Sequence, residues 1–426
     1  MNKVLIISYF FPPCTLTAAQ RPYGWLKYLP QFGYKPIVIT RNWDIDLSKP
    51  EDQLRDAGDQ LFIEKTETHE VHYLPYKASF RDRLFNSKNP SFKKCSKIFT
   101  FINSIGENFS NQFIPFGDFY EYAESLIQKH TFTSIIITGN PFVQFRFGNL
   151  LTNKYNIPWI ADYRDDWTTS EIIKPKGIVA KLIHHIQIIS EKKWVGSAKA
   201  ITSVSPVYTE RISNFVNIPG VTILNGFDEF KRPINSNQKL SVFSITYNGT
   251  LYNTQDLEGF IEVILLCIDK YKNRIDFCVN FPGVAYDSNQ LERIQKLIVG
   301  YESYFFITSR IAKEKVIEIQ SKSDLLLMLP HINIKGIPSS KLFEYLTFKK
   351  PVICFPSDHD IIEEILLDTG IGIILNDKNE LFEFISNYID KKLNNHFFFF
   401  EKEIEKIDKY SVKTQTEKLA LLLNNN

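Results

Sequence analysis

The stretch Ile337-Pro338-Ser339-Ser340-Lys341-Leu342-Phe343-Glu344-Tyr345-Leu346 reads as a turn entering a helix. Pro338 suits a first helical turn, and Ser339 and Ser340 offer hydroxyl and backbone N–H donors there. Lys341 adds a point positive charge suited to a diphosphate. Glu344 stands three residues later on the same helix face, placed to accept hydrogen bonds from ribose hydroxyls. An ordinary capping box would need Ser or Thr three residues before the Glu, and Lys341 occupies that position. A second cluster, Asp162-Tyr163-Arg164-Asp165-Asp166-Trp167, follows the apolar run 157–162. Three carboxylates and an arginine at the end of a buried strand are costly unless paired or used. Asp162, Arg164 and Asp165 are therefore candidate catalytic groups, able to accept a proton from a hydroxyl or to orient a bound hydroxylated ligand. The plainer alternative is an Asp–Arg pair that pins the loop.

Three further turns carry candidates. Gly249-Thr250 follows the apolar run 243–248, where a glycine lets a phosphate reach backbone N–H groups. Gly139-Asn140-Pro141 follows the run 134–138 and permits close backbone approach, which brings in Asn140. Arg21, near the start of the first helix, is placed to hold an anionic group.

The elements that must position these groups alternate. Short apolar runs at 4–9, 36–40, 134–138, 157–162, 200–205 and 221–224 are separated by amphipathic stretches. The rhythm restarts with runs at 243–248, 276–281, 304–307, 325–329, 351–355 and 371–375. Such alternation predicts βαβ units with parallel sheets, whose ligands bind beyond the carboxyl ends of the strands. The fold class is thus α/β, two doubly wound Rossmann-like domains facing a cleft. Residues 1–228 form the first and 235–407 the second, and the polar stretch 228–241, with Pro233, is the linker. Helices are expected over 143–154 and 177–197, and a last one over about 398–423, while 45–115 is less regular. That irregular part is basic and aromatic over 80–101, with Arg81, Arg83, Lys88 and Lys97 against Asp82 alone, a composition that suits an anionic membrane surface.

Composition narrows the function. At 426 residues, 44% hydrophobic, the chain can bury two cores, and a net charge of +2 argues against a general nucleic-acid binder. Five scattered cysteines, none at metal-ligand spacing, read as reduced and mostly buried. His184 and His185 have no companions at zinc-motif spacing, so no metal site is expected. No apolar run reaches about 18 residues, and Pro12-Pro13 breaks the short run that imitates a signal peptide. A cytoplasmic protein is expected, at most at the inner face of the plasma membrane.

The ordered segments resemble those of the type-B-fold, retaining glycosyltransferases of the large bacterial family that builds surface polysaccharides and lipopolysaccharides. Ile7–Pro13 with Arg21 resembles the first strand and loop, Pro158–Trp167 the aspartate–arginine–aspartate–tryptophan segment, and Asn225–Asp228 the interdomain junction. Asn248–Leu251 resembles the donor-phosphate loop and Pro338–Tyr345 the donor-binding helix start. The resemblance implies that Glu344 binds the nucleotide ribose and that Ser340 and Lys341 meet the diphosphate. It also implies that a helix over about 408–426 crosses back onto the N-terminal domain, and that neither metal nor cofactor is needed. A UDP- or GDP-linked sugar is the co-substrate, with a glycan or lipid-linked acceptor on the N-terminal domain. The chain departs from the family at Ala18-Ala19, at the neutral stretch 251–254 and at Gly336, where relatives carry glycines, cations and a second Glu. Neutralising the diphosphate then falls to Lys341, Arg310 or Arg21. The alternatives are a nucleotide-sugar 2-epimerase and a non-catalytic binding subunit of the same fold.

Overall fold

The computed structural model describes residues 1–45, 50–172, 174–228, 241–348, 350–395 and 404–424. The chain forms two compact units, Met1–Leu224 with the stretch from Val412 onward, and Asn225–Ser411. Most of the expected linker, and the phenylalanine run 397–400, lie outside the described residues.

Among the described residues the first unit is built on an eight-stranded sheet. Its strands are β1 (Asn2–Ser8), β2 (Tyr34–Arg41), β3 (Phe62–Lys65), β4 (Glu70–Leu74), β5 (Ser134–Gly139), β6 (Trp159–Tyr163), β7 (Ala200–Ser203) and β8 (Gly220–Thr222), in the order β3-β4-β2-β1-β5-β6-β7-β8. All pairs are parallel except β3–β4. β1 is central, with Leu5 between Ile37 of β2 and Ile135 of β5. Val4, Leu5, Ile6 and Ile7 are all fully buried, as a strand covered on both faces requires.

The segment expected to be irregular holds the β3–β4 hairpin and the helices Phe80–Phe85, Pro90–Gly106 and Asp118–Lys129. Ser79 starts the first of these with a reciprocal bond to Asp82. The expected last helix is interrupted: Ile404–Asp408 belongs to the second unit, and Val412–Asn424 docks on the first. There Leu419, Ala420 and Leu423 pack with Trp25, Leu26 and Leu29. The approach to the Gln20–Tyr28 helix is close, because a Cβ on Gly24 would come within 2.3 Å of the Val412 side chain.

Among the described residues the second unit has six parallel strands: β9 (Val242–Thr246), β10 (Asp276–Phe281), β11 (Phe305–Ile307), β12 (Leu325–Met328), β13 (Val352–Cys354) and β14 (Gly372–Ile374). Their order, β11-β10-β9-β12-β13-β14, is the doubly wound arrangement. The connection changes side between β9 and β12, and in the first unit between β1 and β5, so those carboxyl ends are where a ligand site belongs. The helices Leu257–Tyr271 and Lys378–Leu393 cover the core through Phe260, Ile264, Leu381 and Ile385. Cys14, Cys267 and Cys354 are buried and Cys95 is exposed; no disulfide joins them.

Truncating Leu419 to Ala leaves a cavity in the first unit at a cost of about 2–5 kcal/mol. Urea denaturation should show that unit's transition displaced, with the transition of the Asn225–Ser411 unit unmoved.

Candidate functional site

At the switch point of the second unit, β9 leaves the sheet as Tyr247-Asn248-Gly249-Thr250. Gly249 has φ +87°, and nothing lies within 4 Å of where its Cβ would stand, so the turn faces open space. Its N–H donates to the Pro282 carbonyl at 2.9 Å. Two buried tyrosines fix this exit. Tyr247 donates through its hydroxyl to the Thr250 carbonyl at 2.8 Å and to Gln255 Oε1 at 3.1 Å, and Gln255 in turn donates to the Leu329 carbonyl beyond β12. The Tyr345 hydroxyl accepts from the Asn248 N–H at 3.0 Å, tying the turn to the Ser340–Leu346 helix.

Lys341 comes from the first turn of that helix. Its Nζ sits 3.7 Å from the Tyr247 ring centroid and 3.3 Å from the Thr250 carbonyl oxygen, with no carboxylate partner among the described residues. Burial pushes its ammonium down to about 7, so the charged form is held only weakly before a counter-ion arrives. The Glu344 carboxylate and the Ser339 and Ser340 hydroxyls likewise have no side-chain partner among the described residues, and Ser339 makes no capping bond. The sequence-predicted donor group of Gly249, Thr250, Lys341 and the Ser339–Glu344 helix start is thus brought together around one open turn. Arg310, in the loop after β11, stacks its guanidinium 3.9 Å over Tyr286 and is exposed, without a carboxylate partner among the described residues.

Sequence reasoning did not foresee the neighbouring loop after β13. There Asp360 accepts from the Gly336 N–H, and Lys335 donates to the carbonyls of Asp358 at 2.6 Å and His359 at 2.9 Å. The approach to the Lys341 helix is therefore held by side-chain bonds to the backbone. The neutral stretch 251–254 is braced from behind by Arg293, which donates to the carbonyls of Tyr252 at 3.1 Å and Gln255 at 2.9 Å and pairs with Glu258. A groove of about 300 Å³ beside Arg293 and Glu258 is lined by charges already paired with one another, so we give it no ligand role.

In the first unit two expectations change. Arg21 does not wait for an anion: it is buried, donating through Nε to Asp162 at 3.0 Å and through Nη2 at 2.7 Å. Its Nη1 donates to the carbonyls of Ile223 at 2.8 Å and Leu224 at 3.1 Å. Asp162 is fully buried and also accepts from Thr202 Oγ1 at 2.7 Å. With both groups satisfied inside the unit, this is a structural pair, and Asp162 is corrected from a catalytic group to an anchor. Arg164 and Asp165 do reach the surface, paired at 2.6 Å with the carboxylate exposed. Asn140 is exposed at the end of β5, above Gln144, which donates to the carbonyls of Thr138 at 3.1 Å and Pro141 at 3.2 Å.

The loop carrying Arg164 and Asp165 is fastened by groups the motif alone did not mark. Glu191 is fully buried and accepts from the Tyr163 hydroxyl at 3.0 Å and from Thr168. Burial pushes its carboxyl up to about 7, with the Thr168 and Tyr163 bonds pulling the other way. Trp167 stacks on Phe142 at 5.1 Å, and Asp166 pairs with Arg211 at 3.1 Å. Across the sheet Arg41 is buried in a cage of Tyr76, Trp43 and Tyr9, at 3.7, 4.3 and 5.5 Å from the ring centroids. That cage secures the loop after β1.

No protein-family model matches this chain, and no curated protein sequence does. Solved structures do match over its whole length. A sucrose-phosphate synthase from Thermosynechococcus elongatus superposes with TM-score 0.65 at 13% identity, covering 99% of this chain and 98% of that one. A structure described as trehalose-6-phosphate from E. coli bound with UDP-2-fluoro glucose gives TM-score 0.64 at 10% identity, covering 100% and 99%. A glycosyltransferase from Rickettsia africae gives 0.59 at 16% identity, covering 100% and 99%. At such identities the likeness is one of fold. This chain has the two-domain, doubly wound type-B fold of glycosyltransferases.

Replacing Arg21 by Met strands the Asp162 carboxylate and should cost about 3–5 kcal/mol in chemical denaturation. Asp165→Asn, on the surface, should stay within about 0.5 kcal/mol. Glu191 gives a pH signature. Its folded pKa lies above the ordinary 4.5 at about 7, so over that interval the folded chain keeps a proton that the unfolded chain releases. Stability should fall as pH rises through the interval, and Glu191→Gln should flatten that slope.

Proposed function

We propose that the protein transfers a sugar from a nucleoside-diphosphate sugar to an acceptor hydroxyl. The observation that carries this reading is the Lys341 ammonium, seated on Tyr247 without a carboxylate, beside the open Gly249 turn at the switch point of the second unit. An uncompensated cation at a turn with room for a ligand fits a diphosphate. The fold likeness supports a sugar nucleotide over a plain one, since one matched structure holds UDP-2-fluoro glucose.

In this reading the Asn225–Ser411 unit binds the donor. Glu344 accepts from the ribose hydroxyls, and Thr250, Ser340 and Lys341 meet the phosphates, with Arg310 as a second cation. As the anomeric carbon–oxygen bond breaks, negative charge grows on the leaving diphosphate. Fixed donors aimed at that charge supply the main stabilisation of the transition state. Lys341 is well suited to the task, because its proton is held more firmly as the anion's charge increases. The first unit supplies the acceptor side through Asn140, Arg164 and Asp165. Retention of anomeric configuration, independence of metal, and a lipid-linked or glycan acceptor in surface-glycan synthesis complete the reading by family resemblance.

A thermal-shift screen of UDP, GDP, dTDP, ADP and CMP tests it. A ligand at 100 times its Kd adds about 2.7 kcal/mol. Stabilisation by one nucleoside diphosphate, lost in Glu344→Ala, is the expected result and names the base; no shift with any of them would overturn the donor site. Unaltered cellular function in Glu344→Ala and Lys341→Met would instead favour a non-catalytic binding subunit. The Lys341 environment adds a pH test. A bound diphosphate favours the ammonium, so above pH of about 7 binding takes up a proton. Affinity should weaken as pH rises past that value, by up to about tenfold per pH unit. Lys341→Arg, always charged, should lose that dependence in calorimetric titration.

A further inference from the structure

We infer that His331 is a second phosphate-contacting group of the donor site, a neutral imidazole that donates a hydrogen bond from Nε2 to the leaving diphosphate beside Lys341. The inference rests on the donor reading above and adds to it a residue that no motif marked. His331 follows β12 after Leu329-Pro330, so it stands at the carboxyl end of the strand that adjoins β9 at the switch point. It is built into the exit of β9. His331 and Gln255 form an antiparallel bridge, and the Ile332 N–H donates to the Thr254 carbonyl at 2.8 Å. The ring packs against Tyr252 with centroids 5.1 Å apart, and its Nδ1 lies 2.6 Å from Thr254 Oγ1. The side chain is half-buried, and its Nε2 has no hydrogen-bond partner among the described residues.

The surroundings decide the form in which the ring acts. Burial lowers the imidazole below its ordinary 6.5, and the Lys341 ammonium lowers it further. The other charges around this loop are spent elsewhere. Arg293 pairs with Glu258 behind 251–255, Lys335 donates to the carbonyls of Asp358 and His359, and Asp360 accepts from the Gly336 N–H. Glu344, on the Lys341 helix, is the carboxylate the donor reading assigns to the ribose. The ring is therefore neutral at and above pH 7, with one proton shared between two nitrogens. An anion facing Nε2 selects the tautomer whose proton is there, and the Thr254 hydroxyl can then donate to Nδ1. A second ammonium at this place would repel Lys341. A neutral N–H adds a directed bond without that repulsion, and the bond strengthens as charge grows on the departing phosphate. Lys341 thus supplies charge and His331 supplies direction.

Calorimetric titration of the full-length protein at a pH of about 8 tests this. The probes are the nucleoside diphosphate that stabilises the wild type and, free of any base, inorganic pyrophosphate. His331→Phe keeps a ring against Tyr252 and removes the N–H. Its affinity for both probes should fall roughly tenfold or more, as for a lost hydrogen bond to a charged group. His331→Gln, which restores an N–H, should recover part of the loss. Proton uptake on binding, read in buffers of different ionisation enthalpy, belongs to Lys341 and should be the same in His331→Phe as in the wild type. In protein labelled with 15N-histidine, the resonances missing from His331→Phe should show, in the complex, a protonated Nε2 and an unprotonated Nδ1. A ring that merely fastens the 251–255 loop would not change its tautomer with ligand. Wild-type affinity in His331→Phe, or an imidazolium signature in the complex, overturns the inference and leaves the donor reading standing. No binding of either probe by the wild type would overturn both.

Discussion

The Arg21 guanidinium ties together the parts of the first unit that the chain visits at widely separate times. It rises from the Gln20–Tyr28 helix, meets Asp162 on β6 and takes the carbonyls of Ile223 and Leu224 at the end of the unit. Asp162 adds Thr202 of β7. A buried ion pair of this kind contributes little net stability against an apolar replacement, but it is expensive to break from one side. Its effect is geometric: it fixes where β6 ends, and so where the loop bearing Arg164 and Asp165 begins.

The open turn of the second unit rests on a different device. Tyr247 and Tyr345 are buried, yet their hydroxyls are spent on the backbone of the β9 exit, so the turn is rigid before any ligand is present. The Tyr247 ring then offers its negative face to Lys341. A carboxylate in that position would hold the ammonium charged permanently and would compete with an incoming phosphate. A ring does neither, which leaves the cation available.

The parallel strands were legible because they are buried on both faces and read as unbroken apolar runs; 276–281 coincides with β10, and the other runs of the second unit end within one or two residues of theirs. β3 was not, because Phe62–Lys65 is exposed throughout and pairs only along its edge with β4. The candidate site at the Ser340–Leu346 helix could be read from the offset of Lys341 and Glu344, a local spacing. The ring beneath Lys341 could not, since Tyr247 stands at the exit of β9, remote from the helix in sequence. The cluster at 162–167 shows the same limit: that such carboxylates must be paired or used follows from the sequence, but the partner of Asp162 stands 141 residues away. Glu191 was invisible as a fastener for a related reason, being one carboxylate on a helix otherwise rich in lysines and isoleucines.

The Asn225–Ser411 unit is inserted into the other, and the two chain crossings run side by side, the Phe227 N–H donating to the Tyr410 carbonyl at 3.3 Å. The last turns of Val412–Asn424 fill the core around Trp25 and Leu29. Synthesis from the N-terminus therefore delivers the second unit's complete set of strands before the first unit's core can close. On the ribosome, the part encoded later is contiguous and able to finish folding earlier, while the part encoded first waits with an unfilled apolar groove beside the Gln20–Tyr28 helix. That groove is the surface a chaperone would meet during the interval.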